Sequence, residues 1–352
     1  MTSILRKLSP KTIAKVKEVL SEKIRNIVII PHVNPDGDAV GSCLGLWRVL
    51  KNAGYAPTVI SPSDYPVFLK WVNGTTEVKV NEREPEVCRQ ILDNADLVFL
   101  LDFNAPDRAG KLGPLIEKVT KPVILIDHHP DPADVTELMF SHTEASSTAE
   151  LVYRFVESLD LDEYLDKDAA EALFTGLITD TGSFSYNASS PDMYEVVSRL
   201  LEKGVDKDRI HDLIYNNFST DRMRLLGYSL DQKMKVFPEY HAAYIALSME
   251  ELRRYHFEPG DTEGFVNYPL SISDVIFTAL FIEKEDLVKI SFRSKGGFPT
   301  NEFSNLHFNG GGHINASGGE SKLSMAETIK KFEELLPEFS AKLKDEHRKL
   351  GE

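Results

Sequence analysis

The sequence is poor in cysteine, with Cys43 and Cys88 the two in 352 residues. That excludes a disulfide framework and a zinc module built on cysteine, and it predicts a reducing, cytoplasmic compartment. No apolar run reaches the roughly 18 residues that a membrane span needs, so no membrane association is expected. Residues 1–12 carry neither an apolar core of signal-peptide length nor a small-residue cleavage site. Positive charge is also short: 40 Lys and Arg stand against 55 Asp and Glu, for a net charge of -15. A protein that wraps long duplex nucleic acid needs many phosphate-neutralising cations, so that partner is excluded. A small anion in a local pocket remains compatible, as does a site that holds its own cations. There is no internal repeat, no low-complexity segment, and no Walker loop, G-x-S-x-G elbow or Rossmann fingerprint.

What is present is enough apolar surface for a folded core. Hydrophobic residues make up 42% and charged residues 27%, at a length that fits two domains or one large one. Residues 10–25 place Ile13, Val16, Val19 and Leu20 at helical spacing and predict a leading helix. Ile27-Val-Ile-Ile30, ended by Pro31, reads as a buried parallel strand. Similar runs recur at Leu97–Leu101 and Pro122–Ile126, separated by helical stretches at Ser42–Asn52, Pro85–Asn94 and Leu112–Val119. Such alternation predicts an α/β fold with a parallel sheet.

From 146 to 232 the pattern is mostly helical. Ser147-Thr-Ala-Glu150 predicts a helix opened by a capping box. Asp168–Ile178 and Pro191–Glu202 give two more helices, and Ile210–Gln232 a polar connector. β-type runs return at His241–Leu247, Asp274–Phe281 and Leu287–Phe292. A glycine-rich loop at Asn309–Gly319 and a charged helix over 324–347 follow. The expected organisation is a parallel-sheet domain over 1–220, a helical connector or hinge over 221–235, and a smaller α/β domain over 236–352.

The chemistry is concentrated where strands end. In an open parallel sheet, ligands bind beyond the carboxyl ends of the strands. The first apolar run leads into His32-Val-Asn-Pro-Asp36-Gly-Asp38, the next into Asp102, and another into Asp127-His128-His129. A fourth segment, Thr179-Asp180-Thr-Gly182, closes a helical stretch. Five carboxylates converging in a partly dehydrated cleft would repel one another, and some would take up protons unless cations were present. Histidines among them shift the preference from Mg2+ or Ca2+ towards Mn2+, Zn2+, Co2+ or Fe2+. Asp36-Gly37-Asp38 can offer its two carboxylates to different ions. A pair of ions about 3.5 to 4 Å apart suits in-line attack of hydroxide on phosphorus. Each piece has an ordinary reading: Asp-Gly-Asp as a turn, a lone Asp as a helix cap, Asp-His-His as a surface cluster. Their recurrence at three successive strand ends sets those readings aside.

His32-Val-Asn-Pro-Asp-Gly-Asp-Ala-Val-Gly-Ser42, Asp102, Asp127-His-His129 and Thr179-Asp-Thr-Gly182 resemble the four motifs of the DHH phosphoesterase superfamily. Gly310-Gly-Gly-His313-Ile-Asn-Ala316-Ser-Gly-Gly319 resembles the signature of its accessory DHHA1 domain. The combination is similar to the nanoRNase (oligoribonuclease) branch, related to RecJ-type exonucleases and including phosphatases of 3'-phosphoadenosine 5'-phosphate (pAp). The resemblance implies two Mn2+ ions per site, with Mg2+ or Co2+ as substitutes. His32, Asp36 and Asp102 would bind one ion, and Asp38, Asp102, His128 and Asp180 the other, Asp102 bridging. His129 would face the substrate and Asp127 would orient a histidine. A homodimer is also implied.

The second domain reads as a substrate clamp. Consecutive glycines at 310, 311 and 312 let backbone N–H groups approach an anion, and His313 adds a donor. Residues 287–319 hold Lys289, Arg293 and Lys295 against Glu302, a local charge of +2. Arg293 is a candidate phosphate fork, as is Arg108, which resembles a recurring family arginine. Many relatives carry a basic residue shortly after the fourth motif, where this chain has Ser185. The expected architecture is two domains with an active site in the cleft between them. The expected reaction is release of mononucleotides from short single-stranded RNA, and dephosphorylation of pAp. Alternatives are a phosphodiesterase of linear (pApA) or cyclic dinucleotides, a family II-like inorganic pyrophosphatase, and a non-enzymatic nucleotide sensor.

Overall fold

Strand β1 (Asn26–Ile30) is apolar on both sides because both of its faces are covered. Ile27 and Ile29 point to one layer, Val28 and Ile30 to the other, and all four are buried. This double burial is what turns a continuous apolar run into a central parallel strand. The computed structural model describes residues 10–20 and 24–351. The leader reading lies largely outside these, as do positions 21–23 of the expected first helix. The chain divides into two units, one ending at Asn217 and the other beginning at Phe218.

In the first unit β1 is joined by β2 (Ala56–Ser61), β3 (Lys79–Val80), β4 (Leu97–Leu101), β5 (Val123–Asp127) and β6 (Leu138–Ser141). The order is β3-β2-β1-β4-β5-β6 and every pairing is parallel. The chain runs outward from β1 to β3, then returns to the other side of β1 to lay down β4. The β1–β4 junction is therefore the switch point of the sheet, where connections diverge and leave a crevice at the strand ends.

The helices of this unit are α1 (Pro10–Val19), α2 (Gly37–Asn52), α3 (Pro85–Asp93), α4 (Gly113–Ile116), α5 (Thr148–Ser158), α6 (Lys167–Asp180), α7 (Pro191–Glu202) and α8 (Lys207–Tyr215). One sheet face packs Ile27, Ile29, Phe99 and Ile126 against Leu44, Trp47, Val152, Phe155 and Leu173 of α2, α5 and α6. The other packs Val28, Val98, Leu100 and Leu125 against Cys88 and Leu92 of α3 and Leu112 and Ile116. Helices α2 and α6 touch through glycine. A Cβ on Gly176 would fall 2.7 Å from Asp38 Oδ1 and 2.7 Å from Ala149 Cβ. The expected capping box at α5 takes a different form. The Ser147 side chain accepts from Glu150 N, but Glu150 Oε2 turns to Ser146, accepting from its N and Oγ.

The stretch 210–232 is not one helical connector. Helix α8 stops at Tyr215, and α9 (Thr220–Tyr228) starts afresh with Ser219 as its cap, accepting from Arg222 N. The second unit then forms β7 (Met234–Phe237), β8 (Ala242–Leu247), α10 (Met249–Arg254), β9 (Phe277–Glu283), β10 (Val288–Ser294), α11 (Thr300–Phe308), β11 (Gly311–His313), β12 (Ala316–Ser321) and α12 (Met325–Gly351). Its sheet order is β11-β12-β10-β9-β8-β7, with β8–β9 parallel and the other pairings antiparallel. The core is aromatic: Phe277, Phe281, Phe292, Phe298, Phe303, Phe308 and Phe332 are each about fully buried and meet edge-on, tilted or, for Phe292 with Phe277 and Phe332, stacked.

The expected glycine-rich loop is a hairpin. Gly311 pairs with Gly318, Gly312 with Ser317 and His313 with Ala316. Gly312 sits at φ 138°, where a Cβ would meet Ala316 O at 2.7 Å, so the two strands close only because the side chain is missing. Among the described residues, no helix is long and apolar enough to cross a membrane.

Candidate metal centre

Three strand ends and one helix end bring the polar groups together. His32 follows β1 and is 7% exposed. Its Nδ1 lies 2.9 Å from Val33 O, which turns Nε2 inward, 3.6 Å from Asp102 Oδ2 and 3.9 Å from Asp36 Oδ1. Asp36 caps α2, its Oδ1 accepting from Asp38 N and Ala39 N. Asp38 stands in the first turn of that helix, where the dipole favours negative charge. Asp102 follows β4 with φ 66°, a left-handed conformation that Asp tolerates better than most residues. His128, just past β5, points Nε2 at Asp180 Oδ2 (3.5 Å), Asp102 Oδ1 (3.7 Å) and Asp38 Oδ2 (3.9 Å).

The result is two triads, His32–Asp36–Asp102 and Asp38–Asp102–His128, each with its ligand atoms within 4.8 Å of one another. The Asp102 carboxylate divides between them: Oδ2 faces His32 and Oδ1 faces His128. Contacts of 3.5–3.9 Å are longer than hydrogen bonds. An ion about 2.1 Å from each ligand would hold neighbouring donors about 3 to 3.4 Å apart, so loading would draw these groups slightly closer together. The donor set, imidazole with carboxylate, suits Mn2+, Fe2+, Co2+ or Zn2+. Asp127 is fully buried; its Oδ1 lies 2.7 Å from His129 Nδ1, and among the described residues its Oδ2 has no hydrogen-bond partner. The sequence-predicted Asp36, Asp38, Asp102, Asp127, Asp180, His32, His128 and His129 thus share one rim.

Burial and crowding unbalance these charges. Lost hydration, then the nearby Asp38 charge, pushes the Asp102 carboxyl well above its ordinary range, against the pull of His32. Lost hydration also raises Asp38, with Asp36 adding to it and His128 opposing. At Asp36 lost hydration is outweighed by His32 and by the helix N–H groups, so its carboxyl is held low. Desolvation pulls the His32 ring down, but Asp102 and Asp36 outweigh it and raise it. Crowding of this kind favours proton uptake on Asp38 and Asp102, the imbalance that bound cations would relieve.

Of the remaining predicted residues, Arg108 belongs to the first unit and the others to the second. The Arg108 side chain is exposed, while its carbonyl accepts from Val33 N at 2.8 Å beside His32. Arg293, on β10, donates from Nη1 to its neighbour's carbonyl at Phe292. Gly310, Gly311, Gly312 and His313 belong to the hairpin of the second unit. Sequence reading missed Thr148 and Ser42. Thr148 Oγ1 donates to Asp102 Oδ1 at 2.8 Å, and Ser42 Oγ donates to Asp38 Oδ1 at 3.1 Å. The only signal for Thr148 was its place in a helix cap, which carries no metal information by itself.

Comparison with known proteins agrees with this geometry. The model of the DHH family, N-terminal domain, matches residues 26–177, and that of the DHHA1 domain matches residues 240–346. A solved exopolyphosphatase-related protein from Bacteroides fragilis is 40% identical, covering 98% of this chain and 100% of that one, with a TM-score of 0.92. The chain belongs to the DHH–DHHA1 phosphoesterase family. Within that family, it is 28% identical to the bifunctional oligoribonuclease and PAP phosphatase NrnA of Thermus thermophilus, over 87% of each chain. RecJ from Thermus thermophilus, solved in complex with Mn2+, is 16% identical with a TM-score of 0.50, covering 98% of this chain and 55% of that one, and shares the fold.

Proposed function

We propose that this DHH phosphoesterase is a two-ion, Mn2+-dependent enzyme that hydrolyses short single-stranded oligoribonucleotides to mononucleotides and removes a phosphate from pAp. The observation that carries the reading is the division of Asp102 between two His/Asp triads, which is the arrangement a bridging ligand needs. His32, Asp36 and Asp102 would hold one ion; Asp38, Asp102, His128 and Asp180 the other. Bound ions of this kind neutralise phosphoryl oxygens and make water acidic enough to react near neutral pH.

The chain's own side chains do the rest. Asp127 holds the His129 ring by Nδ1, and in this reading Nε2 would face a phosphate oxygen or a leaving hydroxyl. The second unit supplies capture: hairpin N–H groups, His313 and Arg293 suit a terminal phosphate. A net charge of -15 disfavours long polyanions away from such a patch, which agrees with short substrates. The similarity to an oligoribonuclease and PAP phosphatase supports the choice of substrate.

A panel with Mn2+ tests the reading: a diribonucleotide, pApA, pAp, a 24-mer RNA, cyclic di-AMP, pyrophosphate and linear polyphosphate. Turnover should be highest on the diribonucleotide, pApA and pAp, and chelation should abolish it. Preference for pyrophosphate or polyphosphate would overturn the nuclease reading, and full activity after exhaustive chelation would overturn the two-ion reading.

A further inference from the structure

We propose that Thr148 is a positioning residue of the dimetal centre, fixing the Asp102 carboxylate so that each of its oxygens faces a different ion. The inference rests on the two-ion reading above and adds a residue to it.

A bridging carboxylate works only in one orientation about its terminal torsion, which for Asp is a broad and weakly held one. Something must hold it. Asp102 follows β4 on a left-handed residue and has no helix of its own to brace it. The brace comes from α5, whose first residue is Thr148. Its hydroxyl donates to Asp102 Oδ1 at 2.8 Å, and its backbone N–H donates to Asp38 Oδ2 at 2.6 Å. The next N–H, of Ala149, donates to Asp38 Oδ1 at 2.9 Å. Thr148 is fully buried, so water does not compete for these bonds.

One residue therefore touches both carboxylates that flank His128. Each Asp102 oxygen keeps a lone pair for its own triad, since the hydroxyl occupies one direction at Oδ1 and none at Oδ2. The turn that carries Thr148 is itself anchored. Glu150 accepts from Ser146 N and Oγ and from Arg154 Nε, and Arg154 donates to Asp192 O. Glu150 and Arg154 are both buried, so this pair locks the start of α5 against the body of the unit. Ser42 gives a natural contrast, because it donates to Asp38 alone.

The test is a Mn2+ titration of chelator-stripped protein, with free Mn2+ read by electron paramagnetic resonance, so that no turnover is needed. Thr148→Val keeps the shape and the backbone N–H but deletes the hydroxyl. It should weaken binding of both ions by about 10- to 100-fold, the usual effect of losing a partner that orients a metal ligand. Thr148→Ser should restore binding, and Ser42→Ala should weaken one ion only. Should Thr148→Val fail to fold, Thr148→Ala serves for the same measurement. Two ions bound at wild-type affinity in whichever of these variants folds would overturn the positioning role. A wild-type protein that binds no Mn2+ would instead overturn the two-ion reading on which it stands, so the two failures are told apart.

Discussion

Both units are built around a six-stranded sheet, yet they use opposite means to present chemistry. The first sheet is wholly parallel, so its strand ends point the same way and their following residues collect on one rim. That arrangement lets β1, β4 and β5, far apart in sequence, each contribute a side chain to one site. The second sheet is largely antiparallel, so adjacent strands return directly and present backbone. The β11–β12 hairpin, with glycine at 310, 311, 312, 318 and 319, is the clearest product. Their cores differ to match. Aliphatic residues fill the first, on both sheet faces, whereas interlocking phenylalanines fill one face of the second. A parallel sheet thus suits a site made of converging side chains, and a hairpin suits recognition through N–H groups.

The sharpest way to break that comparison is a pair of substitutions, one in each unit. Asp102→Ala removes a ligand from both triads and should lower kcat by about 10³-fold or more. His313→Ala should chiefly raise KM on a diribonucleotide, because its proposed role is capture. A kinetic comparison in which His313→Ala collapses kcat at unchanged KM would refute this division. Next in size is the core. Phe332 is fully buried among Phe277, Phe281, Phe292 and Phe303. Phe332→Ala should cost about 3–5 kcal/mol, more than the first unit would feel. Limited proteolysis should then cut after Phe218 while the part before Asn217 survives; equal loss of both would show that the two cores unfold as one.

The smallest effect is a pH dependence confined to the second unit. Glu251 is held at about 2: burial opposes ionisation, but Lys233, Tyr228 and the Ser248 N–H outweigh it. A carboxylate held low in the folded state adds stability that is complete above its ordinary value of 4.5 and disappears as pH falls towards about 2. Glu251→Gln should flatten the acid side of a Tm-against-pH curve for this unit. Parallel curves for the two proteins would count against the assignment.

How much of this the sequence disclosed depends on what kind of signal each part leaves. β1, β4 and β5 were legible because double burial writes an unbroken apolar run. β2, β3 and β6 were not, since β2 begins exposed, β3 is two residues long and β6 is only half-buried at the sheet edge. The hairpin read as a loop because glycine shows no alternation of apolar and polar side chains. The metal-facing Asp and His residues stood out by type and by position at strand ends. Thr148 and Ser42 did not, because what they do depends on contacts 46 residues away for Thr148 and Asp102, and on a hydroxyl pointing inward for Ser42. Hydroxyl residues are common, and only tertiary placement separates an orienting donor from a cap.

The left-handed backbone of Asp102 narrows what descent can do at that position. Glu would keep the charge, yet it lacks the short side chain that lets Asp tolerate that conformation, at a cost of about 1–2 kcal/mol. Asn and Gly fit the backbone and abandon the anion. A duplicated copy of this chain released from selection for hydrolysis would drift towards Asn or Gly at 102 with its architecture intact, so that single letter would tell a retired paralogue from a working one.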